Sequence, residues 1–92
     1  MPTTQEKIEL FFKNFSSMLK EKNIRYGDSA LNPNNIFSKQ DAGNSILIRL
    51  DDKINRIQNS DEIRKNDILD MIGYLSLYCI SKDWLNMEEQ ID

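Results

Sequence analysis

The sequence contains no histidine. This absence excludes Ser-His and Cys-His nucleophiles, histidine acid–base chemistry and histidine-ligated metal sites. The single cysteine, Cys79, cannot form an internal disulfide or a zinc knuckle, and it favours a reducing compartment. The three glycines, Gly27, Gly43 and Gly73, are too scattered for a P-loop or a dinucleotide-binding fingerprint. The remaining candidates for chemistry are carboxylates.

Long apolar runs and an excess of positive charge are also missing. The most apolar stretch, residues 68–80, carries Asp70 and is too short to span a bilayer. Glu6 and Glu9 interrupt the N-terminal apolar stretch, which argues against a signal peptide. Twelve basic against 15 acidic residues give a net charge of −3, which argues against broad binding of DNA or RNA. We therefore expect a cytoplasmic protein without membrane or nucleic-acid partners.

The length of 92 residues, with 39% hydrophobic and 29% charged residues, fits one water-soluble globular domain. A chain this short buries only about 60–65% of its unfolded surface, so self-association would help to stabilise it. The apolar periodicity predicts an all-α domain with an N-terminal helix, a long loop and an antiparallel helical hairpin. The predicted segments are a helix over 1–23, a loop over 24–44, the hairpin over 45–82 and a C-terminal tail over 83–92.

Helix boundaries and buried faces follow from the same patterns. Thr3 and Glu6 have the spacing of a capping box at the start of the first helix. The second helix is predicted from a cap at Asn44 or Ser45 to Gln58, and the third from about Asp61 to Ser81. The predicted core positions are Ile8, Phe11, Phe12, Phe15, Met18 and Leu19 on the first helix, Leu47, Leu50, Ile54 and Ile57 with Ile46 beside them on the second, and Ile68, Leu69, Ile72, Leu75 and Cys79 on the third. In the tail, Trp84, Leu85 and Met87 are expected to clamp the helices.

Four aspartates form the first candidate site. The short turn near Asn59 and Ser60 joins two antiparallel helices, so residues equally far from the turn lie at the same height along the pair. Carboxylates that meet in this way suit Mg²⁺, which prefers oxygen ligands. The expected ligands are Asp51, Asp52, Asp67 and Asp70. A structural alternative stays open, in which the acids form salt bridges: Asp52 with Arg56, Asp67 with Arg64, and Asp70 with Arg49.

The loop supplies the second candidate site. Arg25 offers a planar fork for a phosphate, and Tyr26 offers a ring face for a base. An ordinary turn, with Gly27 at positive φ, is the alternative. Together with the hairpin, the predicted ligand-binding residues are Arg25, Tyr26, Asp28, Ser29, Asn32, Lys39, Arg49, Lys53, Arg56 and Tyr74.

Four ordered motifs carry a resemblance: RYGDSALNP at 25–33, IFSK at 36–39, RLDDK at 49–53 and DILDMIGYL at 67–75. They resemble a group of small phage and bacterial proteins described as nucleotide-modification-associated. The chain is more distantly similar to the MazG-like all-α nucleotide pyrophosphohydrolases, which hold Mg²⁺ between two acidic pairs. Asp67 and Asp70 fit the second of those pairs, whereas the first pair is unmatched.

The resemblance implies a compact, oligomeric, all-α protein that binds a nucleotide or a nucleotide-derived molecule, with Mg²⁺-dependent pyrophosphate release as one outcome. Two other interpretations stand beside it. One is a phage sponge that sequesters a cyclic or ADP-ribose-like immune signal without cleaving it, in the host cytoplasm. The other is a protein-interaction module whose acids are all paired. Apolar residues on both sides of the third helix predict a homo-oligomer with the second and third helices at its centre.

Overall fold

The computed structural model describes residues 1–32 and 41–90. Within these ranges the chain forms three α-helices and a short 3-10 helix, with no strand. The elements are α1 (Thr4–Arg25), α2 (Ala42–Gln58), α3 (Lys65–Ser81) and the 3-10 turn Glu88–Gln90. The predicted all-α class is confirmed. Lys39 and the other residues from 33 to 40 lie outside the described ranges. No helix in the described ranges combines the length and apolarity needed to cross a membrane.

The two ends of α1 follow local rules. Thr3 Oγ1 accepts the backbone N–H of Glu6, and Glu6 Oε1 accepts the backbone N–H of Thr3, so the predicted capping box is present. At the other end, the N–H of Gly27 donates to Ile24 and that of Asp28 donates to Asn23. This is a Schellman ending, and Gly27 takes the positive φ of +61° that it requires. The helix therefore ends at Arg25, slightly beyond the predicted end at residue 23.

The starts of α2 and α3 differ from the sequence expectation. Asp41, rather than Asn44 or Ser45, caps α2, because its carboxylate accepts the N–H of Asn44 at 2.8 Å. The α3 helix begins at Lys65, later than the predicted start near Asp61. Ser60 instead exchanges hydrogen bonds with the backbone of Glu62, which prolongs the turn between the helices.

The three helices pack through specific contacts. Lys53, in the second half of α2, pairs with the first turns of α3, while Gly43, at the start of α2, lies beside Tyr78 and Ser81 near the end of α3. These two helices therefore run in opposite directions. The α1 helix contacts α3 at Gly73, where an added Cβ would lie 3.4 Å from the Leu19 Cδ1 atom. A small residue at this position therefore leaves room for α1 beside α3.

The core is smaller than the sequence predicted. Within the described residues, the buried apolar side chains are Phe15, Ile46 and Leu50, of which Ile46 is completely buried. The aromatic stripe of α1 is buried only from Phe15 onward, because the first turns of the helix extend past the contact with α3. The exposed members of that stripe are Ile8, Phe11 and Phe12, at 51%, 40% and 58%. Trp84, Leu85 and Met87 are exposed, so the tail does not clamp the helices as predicted, although the Trp84 ring meets that of Tyr78 edge to face at 6.0 Å between centroids.

The orientation of α3 is the largest correction. Ile68, Leu75 and Cys79 were expected in the core, but all three are exposed. The side of α3 that includes Asp67 and Gly73 points inward instead, and Asp67 is only 4% exposed. Lys53 on α2 explains this orientation, because it supplies a cationic partner inside the contact between the helices.

A smaller shift affects α2. The residues that turn toward α3 are Ile46, Leu50, Lys53 and Ile57, whereas Leu47 and Ile54 are exposed at 41% and 42%. The core stripe is therefore rotated by part of a turn from the predicted one, because the largely covered cation Lys53 belongs to it.

Candidate functional site

An open pocket of about 510 Å³ lies between α1, the turn that follows α1, and α3, with one residue contributed by α2. Its polar lining comes from Lys22, Asn23, Ser29, Arg49, Asn66 and Asp70. Two rings, Tyr26 and Tyr74, complete the polar and aromatic part of the wall. Met18, Leu19, Leu69 and Leu77 provide its apolar floor and sides. The pocket thus combines charged, amide and aromatic groups on an apolar base.

Helical spacing explains why these side chains meet. On α3 the lining residues include Asn66, Asp70, Gly73 and Leu77, which recur every three or four positions and so share one face. Gly73 leaves the space in which α1 approaches that face. The Schellman turn at Gly27 then folds the chain back, so that Ser29 and Ala30 reach the pocket as well.

The charge of the pocket contrasts with that of the chain. Lys22 and Arg49 are its cations, and Asp70 is its acid. Lys22 Nζ lies 3.4 Å from Asp70 Oδ1, so one of the two cations is already partly neutralised. Arg49 is exposed, and no ion pair of it is found among the described residues. The pocket is therefore weakly positive in a protein whose net charge is −3.

Behind the pocket, Asp70 joins an ion-pair network between α2 and α3. Lys53 Nζ lies 2.8 Å from Asp70 Oδ2 and 3.6 Å from Asp67 Oδ1, and Arg56 lies 3.8 Å from the same Asp67 oxygen. The Lys53 and Asp67 side chains are only 12% and 5% exposed. Asp67 also stands in the first turn of α3, where the helix dipole favours a negative charge.

The network shifts two ionisation equilibria. The hydrogen bond to Asp70 raises the pKa of Lys53 above its usual value, against the opposing effect of burial. Burial alone would raise the pKa of Asp70, but the hydrogen bond and charge of Lys53, helped by Lys22, outweigh it and lower that pKa. Both groups are thus held in their charged forms at neutral pH.

The four aspartates do not form one cluster. Asp51 and Asp52 are exposed on α2, whereas Asp67 and Asp70 are turned inward on α3. Among the described residues, no group of three or more Asp, Glu or Cys side chains is arranged to hold a metal ion. Asp67 and Asp70 do form salt bridges, but their partners are Lys53, Arg56 and Lys22 rather than the expected Arg64 and Arg49.

Six of the ten predicted ligand-binding residues lie in or directly behind the pocket. Tyr26, Ser29, Arg49 and Tyr74 line the pocket together. Lys53 and Arg56 belong to the ion-pair network behind it.

The other loop residues point elsewhere. Arg25 pairs with Glu21 at 2.7 Å on the surface of α1, and the Asn32 amide donates to the Asp28 carboxylate. The structure therefore moves the cationic part of the candidate site from Arg25 to Lys22 and Arg49.

Sequence reasoning missed three polar lining residues, Lys22, Asn23 and Asn66. Lys22 left a signal, because it occupies the apolar face of α1 four residues after Met18, where another hydrophobic residue was expected. Asn66 left none, because its position in the wall depends on where α1 lies.

A second, wider depression of about 700 Å³ lies beside the α2–α3 turn, and its charged lining residues are Arg56, Arg64, Asp61, Glu62 and Asp67. Its acids outnumber its two arginines, so it does not favour an anion.

Comparison of the chain with protein-family models, curated proteins and solved structures found no match.

Proposed function

We propose that this protein binds a nucleotide or a nucleotide-derived small molecule in the pocket between α1 and α3. The observation that carries the proposal is the convergence of Lys22, Arg49, Tyr26 and Tyr74 on one pocket of an acidic chain. Each group has a complementary part of a nucleotide to bind. The cations suit a phosphate, the phenol rings suit the face of a base, and the nearby amides suit its polar edge.

The size and the lining of the pocket support the same proposal. Small-molecule sites enclose roughly 300–1,000 Å³, are largely apolar, and carry a few placed polar groups. The volume of about 510 Å³ and the leucine and methionine floor meet that description. Arg49 in particular can offer a bidentate fork to an incoming phosphate. The resemblance to nucleotide-modification-associated proteins implies the same class of ligand.

The proposal favours binding without hydrolysis. Mg²⁺ catalysis of the MazG-like kind needs carboxylates that turn toward the metal and the substrate phosphates. The Asp70 oxygens are already occupied by Lys22 and Lys53, and Asp67 is held by Lys53 and Arg56. A divalent ion would have to displace these cations before it could bind. Retention of an intact ligand, as in a sponge for a signalling nucleotide, is therefore the form of the function that we propose.

Calorimetric titration tests the binding. The titrants are nucleoside mono-, di- and triphosphates and cyclic nucleotides, each with and without Mg²⁺. For the tightest binder, Arg49→Ala should weaken affinity about tenfold or more, because a charge-assisted hydrogen bond contributes about 1.5–3 kcal/mol. Arg25→Ala is the matched control, since Arg25 pairs with Glu21 outside the pocket. Equal losses in both variants, or no binding to any titrant, would refute the assignment.

Product analysis then separates binding from turnover. The wild-type protein should leave every nucleoside triphosphate intact in the presence of Mg²⁺ or Mn²⁺. Cleavage that disappears in Asp67→Asn and Asp70→Asn, with helical content retained, would instead establish the pyrophosphohydrolase interpretation.

A further inference from the structure

One side of the α2–α3 pair exposes a row of apolar side chains, here called the back face. It consists of Leu47 and Ile54 on α2 and of Ile68, Ile72, Leu75 and Cys79 on α3. Leu47, Ile54, Ile68 and Leu75 are exposed by 41%, 42%, 39% and 51%. The α3 members are separated by four, three and four residues, which is the spacing of a helix that packs in a bundle.

The two helices contribute to one continuous surface. Lys53 pairs with Asp67 and Asp70, and this register places Ile54 level with Ile68 and Leu47 level with Leu75. On α3, Ile68 and Leu75 lie roughly 140–160° around the helix from Gly73, the contact point of α1. The back face is therefore on the opposite side of the α2–α3 pair from α1 and from the candidate pocket.

The exposed area of the chain is too large for a compact monomer. A folded monomer of 10.8 kDa exposes about 5,500 Å² by the usual scaling with mass. This chain exposes 7908 Å², and its radius of gyration is 15.2 Å, whereas a compact chain of this length has about 12 Å. The excess of about 2,400 Å² also includes the exposed first turns of α1 and the tail, and it is larger than the ~800 Å² that each partner buries in a standard stable interface.

We propose that the back face is the interface of a homodimer, in which two α2–α3 pairs form a four-helix bundle and the two α1 helices lie outside it. A second copy brings the same aliphatic stripe, so a two-fold axis matches leucine and isoleucine with leucine and isoleucine. The neighbouring polar positions on α2 are Asn44, Asp51 and Gln58, which include no cation. At the ends of α3, Lys65 precedes Ile68 by three residues and Lys82 follows Cys79 by three, so cations flank the two ends of the stripe. An anionic membrane is therefore the alternative occupant to be tested.

The dimer does not depend on the proposed ligand, because the candidate pocket between α1 and α3 stays open in each of the two copies. Sedimentation equilibrium at micromolar concentration should give twice the chain mass of 10.8 kDa for the wild type. Leu75→Glu should give a monomer, with the dissociation constant raised at least about 100-fold, because each two-fold interface then buries two unpaired carboxylates. Ile68→Glu should act in the same way. Leu10→Glu is the matched control, since Leu10 is 58% exposed on α1.

Circular dichroism checks that each variant keeps its helical content. We expect it to do so, because the replaced side chains are exposed in the single chain. A monomeric wild type would overturn the proposal, and so would a Leu75→Glu protein that dimerises as tightly as the wild type. Equal disruption by Leu10→Glu would place the interface elsewhere and would overturn it as well. A wild-type monomer that co-sediments with phosphatidylglycerol vesicles would assign the back face to a membrane instead.

Discussion

On the side of α2 and α3 that includes Lys53, Asp67 and Asp70, charged groups are buried, whereas on the back face aliphatic groups are exposed. A single chain normally shows the reverse arrangement. The buried charges are tolerated because each carboxylate has a cation within 4 Å. The exposed aliphatic groups have no such compensation within the described chain. The inner side therefore pairs its own charges, whereas the back face leaves its aliphatic side chains exposed to solvent.

Removing the central cation should have the largest effect on stability. Lys53→Met keeps the length of the side chain but leaves Asp67 and Asp70 without their shared partner. Loss of one member of a buried pair costs about 3–5 kcal/mol, and since Asp70 keeps Lys22 and a 21% exposed side chain, we expect about 3 kcal/mol. Urea denaturation measures this free energy of unfolding.

Lys20→Met is the control for that variant. Lys20 is exposed on α1, and no ion pair of it is found among the described residues, so its replacement should change stability by less than about 0.5 kcal/mol. Equal stability of Lys53→Met and the wild type would show that the inner side does not rely on its ion pairs.

Substitutions of Gly73 test the contact between α1 and α3 beside the pocket. Gly73→Leu should push α1 away from α3 and destabilise the protein by about 1–3 kcal/mol, as overpacking does. Gly73→Ala should instead stabilise it by up to about 1 kcal/mol, since its Cβ would lie at an ordinary 3.4 Å from Leu19 and alanine favours a helix. Thermal denaturation of both variants measures the contrast, and equal melting temperatures would contradict the close approach of the two helices.

The sequence predicted the helices better than their orientation. Periodicity identified three helices, and local chemistry identified the capping box at Thr3 and the positive φ of Gly27. The inward face of α3 was not predictable in this way, because both of its sides carry apolar residues and only the partner Lys53 decides between them.

The candidate site was predictable in part for a related reason. Side-chain chemistry alone predicted four of the residues that line the pocket: Tyr26, Ser29, Arg49 and Tyr74. Arg25 has the same chemistry, yet it pairs with Glu21, its i, i+4 partner on α1, and does not line the pocket. Residue type indicates what a side chain can bind, whereas the packing of α1 on α3 determines where it points.

The smallest predicted effect concerns acid stability. The pKa of Asp70 is lowered in the folded protein, so its ion pairs stabilise the fold above the ordinary value of 3.8, and this contribution is lost as the pH falls through the lowered pKa. The melting temperature of the wild type should therefore fall below pH 4 more steeply than that of Asp70→Asn, which lacks the titrating group. Asp52→Asn removes an exposed carboxylate for which no ion pair is found among the described residues, and it should keep the wild-type slope. If Asp70→Asn keeps that slope as well, the Lys53–Asp70 pair is not what holds the inner side together in acid, and the stability of that side must come from its apolar contacts at Ile46 and Leu50.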